Sequence, residues 1–119
     1  GKLGTTLTAM SALGDKLMDI DTARSSAMEL SVLLGRQINV DKAQQLMYDG
    51  KLVEANEELL SQIGGIDAFN KMDYFQKKQT AELMNTTTAD LEKQLKKQAK
   101  NKQASWQQQW KLRKEWVVI

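Results

Sequence analysis

Residues 35–65 read GRQINVDKAQQLMYDGKLVEANEELLSQIGG, and this stretch decides the fold class. Gly35 follows the last residue of an apolar pattern and suits the left-handed conformation that closes many helices. Asn39 or Asp41 can then cap a short helix, predicted over Asp41–Tyr48, through a side-chain oxygen. The first half of the stretch therefore predicts a helix end, a tight turn and a new short helix.

The second half of the stretch predicts one more short helix. Asp49 and Gly50 form a turn signal, and the helix is expected over Leu52–Ile63. The apolar residues that share one side of this helix are Leu52, Ala55, Leu59, Leu60 and Ile63. Gly64 and Gly65 follow and are expected to end it. Short helices separated by such turns are typical of a compact helical cluster.

The same alternation continues downstream. Asp67 and Asp73 are each predicted to cap a short helix. The expected buried residues of the second of these helices are Tyr74, Phe75, Ala81 and Leu83. Asn85 fits a left-handed helix end, and Thr87 is placed as the N-cap of the last helix. The middle of the chain is therefore predicted to be several short, capped helices.

Upstream, residues 3–34 are predicted to form one long helix. Their apolar residues recur in two series with seven-residue spacing, offset by three, which is the a/d pattern of a helical seam. The seam residues are Leu3, Met10, Leu13, Leu17, Ile20, Ala27 and Leu34. Three interpretations stay open: a helix packed on its own domain, a self-associating coiled coil, or a membrane-active helix. The seam residues predicted to bind a partner are Leu3, Met10, Leu13, Leu17 and Ile20.

Charge divides the chain into an acidic body and a basic tail. Residues 1–92 carry nine Lys or Arg and fourteen Asp or Glu, a net charge of −5, and residues 93–119 carry a net charge of +7. Such a division suggests a tail with a partner of its own. The predicted fold is all-α, with a long N-terminal helix (1–34), a cluster of short capped helices (35–91) and a long basic C-terminal helix (92–119).

The basic tail also carries Trp106, Trp110 and Trp116, which complete the candidate partner-binding residues. Basic residues interleaved with aromatic residues can dock on a protein, bind nucleic acid through phosphate contacts and stacking, or lie on an anionic membrane surface. The residue pattern does not select among these partners. Three partners for the basic tail therefore stay open: another protein, DNA and a membrane.

The composition disfavours an enzyme. The 119 residues include no His, Cys or Pro, so the commonest general base, the thiol nucleophile and the usual zinc ligands are missing. Glu54, Glu57 and Glu58 lie close in sequence, but a metal or acid–base pair would need burial and further ligands. Gly64 and Gly65 lack the Gly-Lys-Ser/Thr of a phosphate loop. We expect no catalytic residue, no metal and no cofactor, and no apolar run is long enough to span a membrane.

Several short stretches between Ile20 and Leu95 form a further pattern. They are Ser31–Ala43, Asp49–Ala55, Phe69–Met72, Ala81–Leu83 and Asp90–Glu92. Together they resemble a helical segment of the tail tape measure proteins of tailed phages, especially marine phages. In that family the helix before the last one typically ends in Leu-Gly followed by Ser or Thr. Here Met84-Asn85-Thr86 stands in that place, and Asn tolerates the left-handed conformation that Gly would supply.

The resemblance implies a structural, non-enzymatic role. Tape measure proteins are long helical chains in the lumen of the tail tube; they set tail length, nucleate tube assembly with the baseplate hub, and leave ahead of the genome. The implied partners are tail tube and baseplate hub proteins, in the virion tail, with several copies, often three, assembled together. The alternative, from the residues alone, is a helical module whose basic, Trp-containing tail binds nucleic acid or an anionic membrane surface. Because the chain begins at Gly1, a fragment or processed product is expected.

Overall fold

The computed structural model describes residues 7–101, and side-chain burial from residue 10 onward. Within this part of the chain every regular element is a helix, which confirms the all-α prediction. The helices are α1 (Leu7–Met18), α2 (Ile20–Leu34), α3 (Asp41–Tyr48), α4 (Leu52–Ile63), α5 (Gly65–Asn70), α6 (Tyr74–Leu83) and α7, which begins at residue 88 and is described to residue 101.

The N-terminal region contains two helices, so the predicted single long helix within 1–34 is wrong. Asp19, between α1 and α2, has φ −87° and ψ 86°, which is outside the helical region. Its carboxylate accepts hydrogen bonds from the Thr22 backbone N–H (3.3 Å) and the Thr22 hydroxyl (2.7 Å). A short polar side chain that bonds nearby backbone in this way competes with a continuous helix. Asp19 therefore starts a second helix at a position where the heptad pattern alone predicts that a single helix continues.

The loop between α2 and α3 is bound to the end of α4. Gly35 closes α2 in the predicted left-handed conformation (φ 69°), and its N–H donates to a carbonyl oxygen of α2 at 3.0 Å. The Arg36 guanidinium donates to the carbonyl oxygens of Gln62 (2.6 Å) and Ile63 (2.9 Å). The Gln62 side chain also exchanges two hydrogen bonds with the Asn39 backbone, at 2.8 and 2.7 Å. These bonds satisfy carbonyl groups that a helix end leaves without an internal partner.

The two helices predicted in the middle of the chain, Asp41–Tyr48 and Leu52–Ile63, are confirmed as α3 and α4. Neither candidate is the N-cap of α3, because Val40 takes that position without a side-chain hydrogen bond; Asn39 Oδ1 accepts from the Asp41 N–H at 2.8 Å in the turn before it. Gly64 ends α4 as predicted, in the left-handed region with φ 96°. The predicted bounds of both helices are therefore correct, although neither helix begins with a side-chain cap.

The remaining predicted caps have mixed outcomes. Asp67 lies inside α5, so its predicted role as a cap is wrong. Asp73 is confirmed: it accepts from the Gln76 N–H (2.8 Å), and Gln76 Oε1 accepts from the Asp73 N–H (3.0 Å). Asn85 adopts the predicted left-handed conformation, with φ 55°. The Thr87 hydroxyl oxygen accepts a backbone hydrogen bond of 3.2 Å in the first turn of α7, as expected of an N-cap.

The described residues share one hydrophobic core. Buried residues from all seven helices contribute to it, among them Leu13, Leu17, Ala23, Leu30, Ala43, Leu59, Leu60, Ile63, Phe69, Leu83, Leu91 and Leu95. Helix α1 packs against α2, α3 and α4, and α2 packs against α6. Residues on both sides of residue 34 therefore contribute to the same core.

Helix α6 has its two aromatic residues outside the core. Ala81 and Leu83 are buried as predicted, but Tyr74 and Phe75 are 67% and 70% exposed, so their predicted burial is wrong. Thr80 takes an inward position instead and is fully buried. Its hydroxyl donates to a carbonyl oxygen of α6 at 2.7 Å, which satisfies the group without water. The buried side of α6 therefore includes a polar residue and leaves out two aromatic residues, which the apolar pattern alone does not predict.

Helix α7 packs on the core along one side. Leu91 and Leu95 are fully buried, and Gln94 beside them is also buried. The Gln94 Oε1 atom has no hydrogen-bond partner within residues 7–101. The predicted basic C-terminal helix over 92–119 thus begins inside α7, and its residues after 101 lie outside the described part of the chain.

Candidate functional site

The predicted seam residues do not form one surface. Leu13 and Leu17 are buried in the core, Met10 is half-buried, and Ile20 is 36% exposed. Leu3 lies outside the described residues. The break between α1 and α2 ends the common helical register, so the buried members stabilise this chain's own core. Partner binding by these residues stays a prediction.

The aromatic residues predicted to dock on a partner are Trp106, Trp110 and Trp116. All three lie outside the described residues, and their role as anchors stays a prediction.

A group of exposed apolar residues lies on α2 and α6, and the sequence pattern did not identify it. We call it the apolar surface, and its members are Met28, Val32, Leu33, Tyr74 and Phe75. Val32 is 78% exposed and Met28 is 69% exposed, although both belong to a helix with a fully buried opposite side. Met28, Val32 and Leu33 are apolar residues of α2 outside its buried side, and the apolar pattern alone does not show which side of the helix is buried.

Two hydrogen bonds fix how α2 and α6 lie against each other. Gln76 Nε2 donates to the Leu33 carbonyl oxygen (2.9 Å), and Gln79 Nε2 donates to Glu29 Oε2 (3.0 Å). Residue numbers rise on one helix as they fall on the other, so the two helices are antiparallel. Phe75, one turn before Gln79, is therefore level with Leu33, one turn after Glu29. This register places the aromatic end of α6 beside the apolar end of α2.

The two aromatic rings of the apolar surface also contact each other. Tyr74 and Phe75 form an edge-to-face pair with centroids 5.6 Å apart and an interplanar angle of 78°. Edge-to-face pairs are a favourable aromatic geometry. The pair therefore presents a preorganised aromatic edge at the start of α6.

A second unusual surface lies on α7. We call it the lysine face, and its members are Lys93, Lys96, Lys97 and Lys100, all of them exposed. Lys96 pairs with Glu92 at 3.7 Å, and this is the one ion pair of α7 within residues 88–101. No acid occurs between residues 93 and 101. The lysine face is therefore a positive stripe in which one of four lysines has an ion-pair partner.

The acids considered as candidate catalytic or metal-binding groups are exposed to solvent or take part in ion pairs and hydrogen bonds that stabilise the fold. Glu54 and Glu57 are exposed, while Glu58 pairs with Lys42 (3.5 Å) and accepts from Gln62 Nε2 (3.1 Å). No three potential metal ligands come together within residues 7–101. A cavity of about 150 Å³ beside α5 and α7 has a single carboxylate, Asp67, in its lining. The described residues thus offer no convergent acid–base or metal site.

The Asp19 carboxyl shows a displaced pKa with a structural cause. Hydrogen bonds from the Thr22 hydroxyl and backbone, together with the charge of Lys16, hold the pKa of Asp19 below its ordinary value of 3.8. A capping carboxylate is favoured in its charged form, because it accepts N–H and O–H groups at the start of a helix. The shift therefore belongs to the break between α1 and α2 and not to a reactive site.

No helix within residues 7–101 combines the length and the apolar character that crossing a bilayer requires. Comparison of the chain with protein-family models, with curated proteins and with solved structures gives no match.

Proposed function

We propose that this chain is a non-enzymatic structural segment of a phage tail tape measure protein. It acts by packing its helices against tail tube or baseplate hub proteins in the virion tail. Through these contacts it takes part in tail assembly, in tail length determination and in genome delivery. Several copies assemble together, as in the family that it resembles.

The apolar surface is the observation that carries the proposal. Large exposed apolar patches on a protein surface usually mark a contact with another macromolecule. Five large apolar side chains are exposed on two helices that pack together, and full burial of each such side chain contributes about 1.5–3 kcal/mol. Binding through this surface would use the packing of apolar side chains.

The resemblance supplies the kind of partner. It rests on packing and capping residues, among them Gly35, which ends α2 in the left-handed conformation; Asn85, which stands where the family has Gly, is also left-handed. A compact group of short helices suits a region held at the hub or at the tube mouth better than a region stretched along the tube. This supports the hub-proximal end as the place of action.

The test removes apolar side chains from the apolar surface by mutation of the gene that encodes the chain. Met28, Val32 and Phe75 are replaced together by Ser, which leaves the core residues unchanged. We expect tails to be absent or of abnormal length in electron micrographs, while the purified chain keeps its helical circular dichroism. The reason is that the contact with the tube or hub loses its apolar side chains.

Tyr48→Ser is the matched control, because Tyr48 is 65% exposed but belongs to α3. We expect tails of normal number and length from this variant. Normal tails from the triple Ser variant, with a folded chain, would overturn the proposal. Absence of the chain from purified tails would do the same.

A further inference from the structure

We propose that the lysine face of α7 binds the phosphate backbone of nucleic acid without sequence preference. This is a binding activity in addition to helix packing, and it does not rest on the proposed role in a phage tail. It is argued from the position of four lysines on one helix, from the charges around them and from the absence of apolar groups among them.

The four lysines lie on the side of α7 that points away from the core. Leu91, Gln94 and Leu95 are buried, whereas Lys93, Lys96, Lys97 and Lys100 are exposed. Spacings of three, four and seven residues put the lysines on one stripe of a helix. The stripe is about 10 Å long from first to last lysine, at a rise of about 1.5 Å per residue. That length faces about three phosphates of one DNA strand.

Three of the four charges of this stripe have no ion-pair partner among residues 7–101, and Lys96 pairs with Glu92. Lys93, Lys97 and Lys100 form no ion pair within residues 7–101. Some other cations among the described residues are engaged: Lys42 pairs with Glu58 (3.5 Å), and the Arg36 guanidinium donates to carbonyl groups of α4. Lys93, Lys97 and Lys100 differ from unpaired lysines elsewhere in lying together on one helix. Like charges at i, i+3 and i, i+4 weaken a helix, so the lysine face reduces the stability of α7. A polyanion relieves that repulsion.

The composition of the stripe favours nucleic acid over a membrane. Peripheral helices hold a membrane by burying apolar side chains below the headgroups while basic residues contact the lipids. Between residues 88 and 101 the outward positions that carry the lysines include no large apolar residue, so this described part of α7 has no apolar side chain to insert. The same described positions carry no aromatic ring to stack on bases, which predicts that the lysine face contacts phosphates alone and does not read sequence.

The test measures binding of a fluorescent 20-base-pair DNA duplex to the full 119-residue chain by anisotropy, at several salt concentrations. We expect affinity to fall with salt, because each neutralised phosphate contributes a slope of about −0.9 in log K against log salt. The variant K93Q/K97Q/K100Q should flatten that slope by about two to three units. Its circular dichroism and melting temperature should be equal to or above those of the original chain, since repulsion is removed.

The matched control is K51Q/K71Q/K78Q, which changes the net charge equally but alters exposed lysines outside α7. We expect it to leave the salt slope unchanged. An equal loss in both variants would mean a diffuse charge effect and would overturn the assignment to α7. No DNA binding at 50 mM salt would overturn it as well. Binding to phosphatidylserine vesicles without binding to DNA would assign the face to membranes and refute the proposal.

Discussion

Two aspartates with the same predicted role differ in the backbone that surrounds them. Asp73 precedes α6 in an extended conformation (φ −77°, ψ 178°) and bonds reciprocally with Gln76. Asp67 is already inside α5, which begins directly after Gly64. A capping box needs an extended cap residue and a Glu or Gln three residues later. Asp73 meets both conditions, and Asp67 meets neither.

Replacement of Asp73 by Ala should therefore destabilise the protein, and replacement of Asp67 should not. For Asp73→Ala we expect the free energy of unfolding in urea to fall by about 1 kcal/mol, the usual effect of losing an N-cap side chain. For Asp67→Ala we expect a change within about 0.5 kcal/mol, as for an ordinary surface substitution. Equal losses in the two variants would contradict the capping assignment.

The Asp19 carboxylate should make stability depend on pH. Its pKa is lowered in the folded protein, so the unfolded chain binds its proton more readily. The stabilisation is fully present above the ordinary value of 3.8 and is lost as the pH falls further, through the lowered pKa of the folded state. Asp19→Asn keeps a capping oxygen but cannot titrate.

The measurement compares urea unfolding of Asp19→Asn with that of the original chain at pH 7, 4 and 3. We expect the stability advantage of the original chain over the variant to shrink as the pH falls. A difference that stays constant across these conditions would show that the carboxylate charge has no part in starting α2.

Helix α1 lies close to α3 and α4 at Gly14. A Cβ built on Gly14 would lie 3.1 Å from Met47 Cε and 3.3 Å from Leu52 Cδ1. The bare backbone thus lets α1 approach α3 and α4 closely. Leu17 enters the core on the same helix, whereas Ile20, three residues later, begins α2 and stays partly in solvent.

Leu17 and Ile20 should therefore respond differently to truncation, although the heptad pattern placed both on one seam. We expect Leu17→Ala to lower the free energy of unfolding by about 2–5 kcal/mol, because it removes a fully buried side chain and leaves a cavity. Ile20→Ala should lower it by less than about 1.5 kcal/mol, since less contact is lost. Chemical denaturation measures the free energy of unfolding of both variants. Similar large losses would support one continuous seam and contradict the break at Asp19.

The shared core joins the first and last described helices into one packing unit. Leu13 in α1 and Leu95 in α7 are 82 positions apart in sequence, yet both are fully buried in the same cluster. Asn85, in the turn before α7, also donates to the Ala12 carbonyl oxygen of α1 at 2.6 Å. These observations place α1 and α7 in one packing unit.

Unfolding should therefore be a single cooperative transition for the part of the chain that includes α1 to α7. We expect Leu13→Ala and Leu95→Ala each to lower the stability by about 2–5 kcal/mol and to reduce hydrogen-exchange protection in α3 and α4 alike. Two separate urea transitions, or a loss of protection limited to the mutated helix, would show independent units.

The all-α class, the bounds of α3 and α4 and the caps at Gly35, Asp73, Asn85 and Thr87 could be predicted from the residues. Each depends on contacts within three or four positions, which a linear pattern records. The lysine face was visible in part, as an excess of Lys, because charge is also a local property. The apolar surface could not be predicted from the residues, because it depends on which sides of α2 and α6 face the core.

The sequence by itself determined where most helices begin and end, since capping and turn residues act on their own neighbours. The tertiary structure decided that a break at Asp19 replaces a long helix, that Tyr74 and Phe75 are exposed, and that the terminal helices share one core. The physical reason is that an amphipathic pattern specifies how much apolar surface a helix has, while only packing against distant segments specifies which part of it is buried.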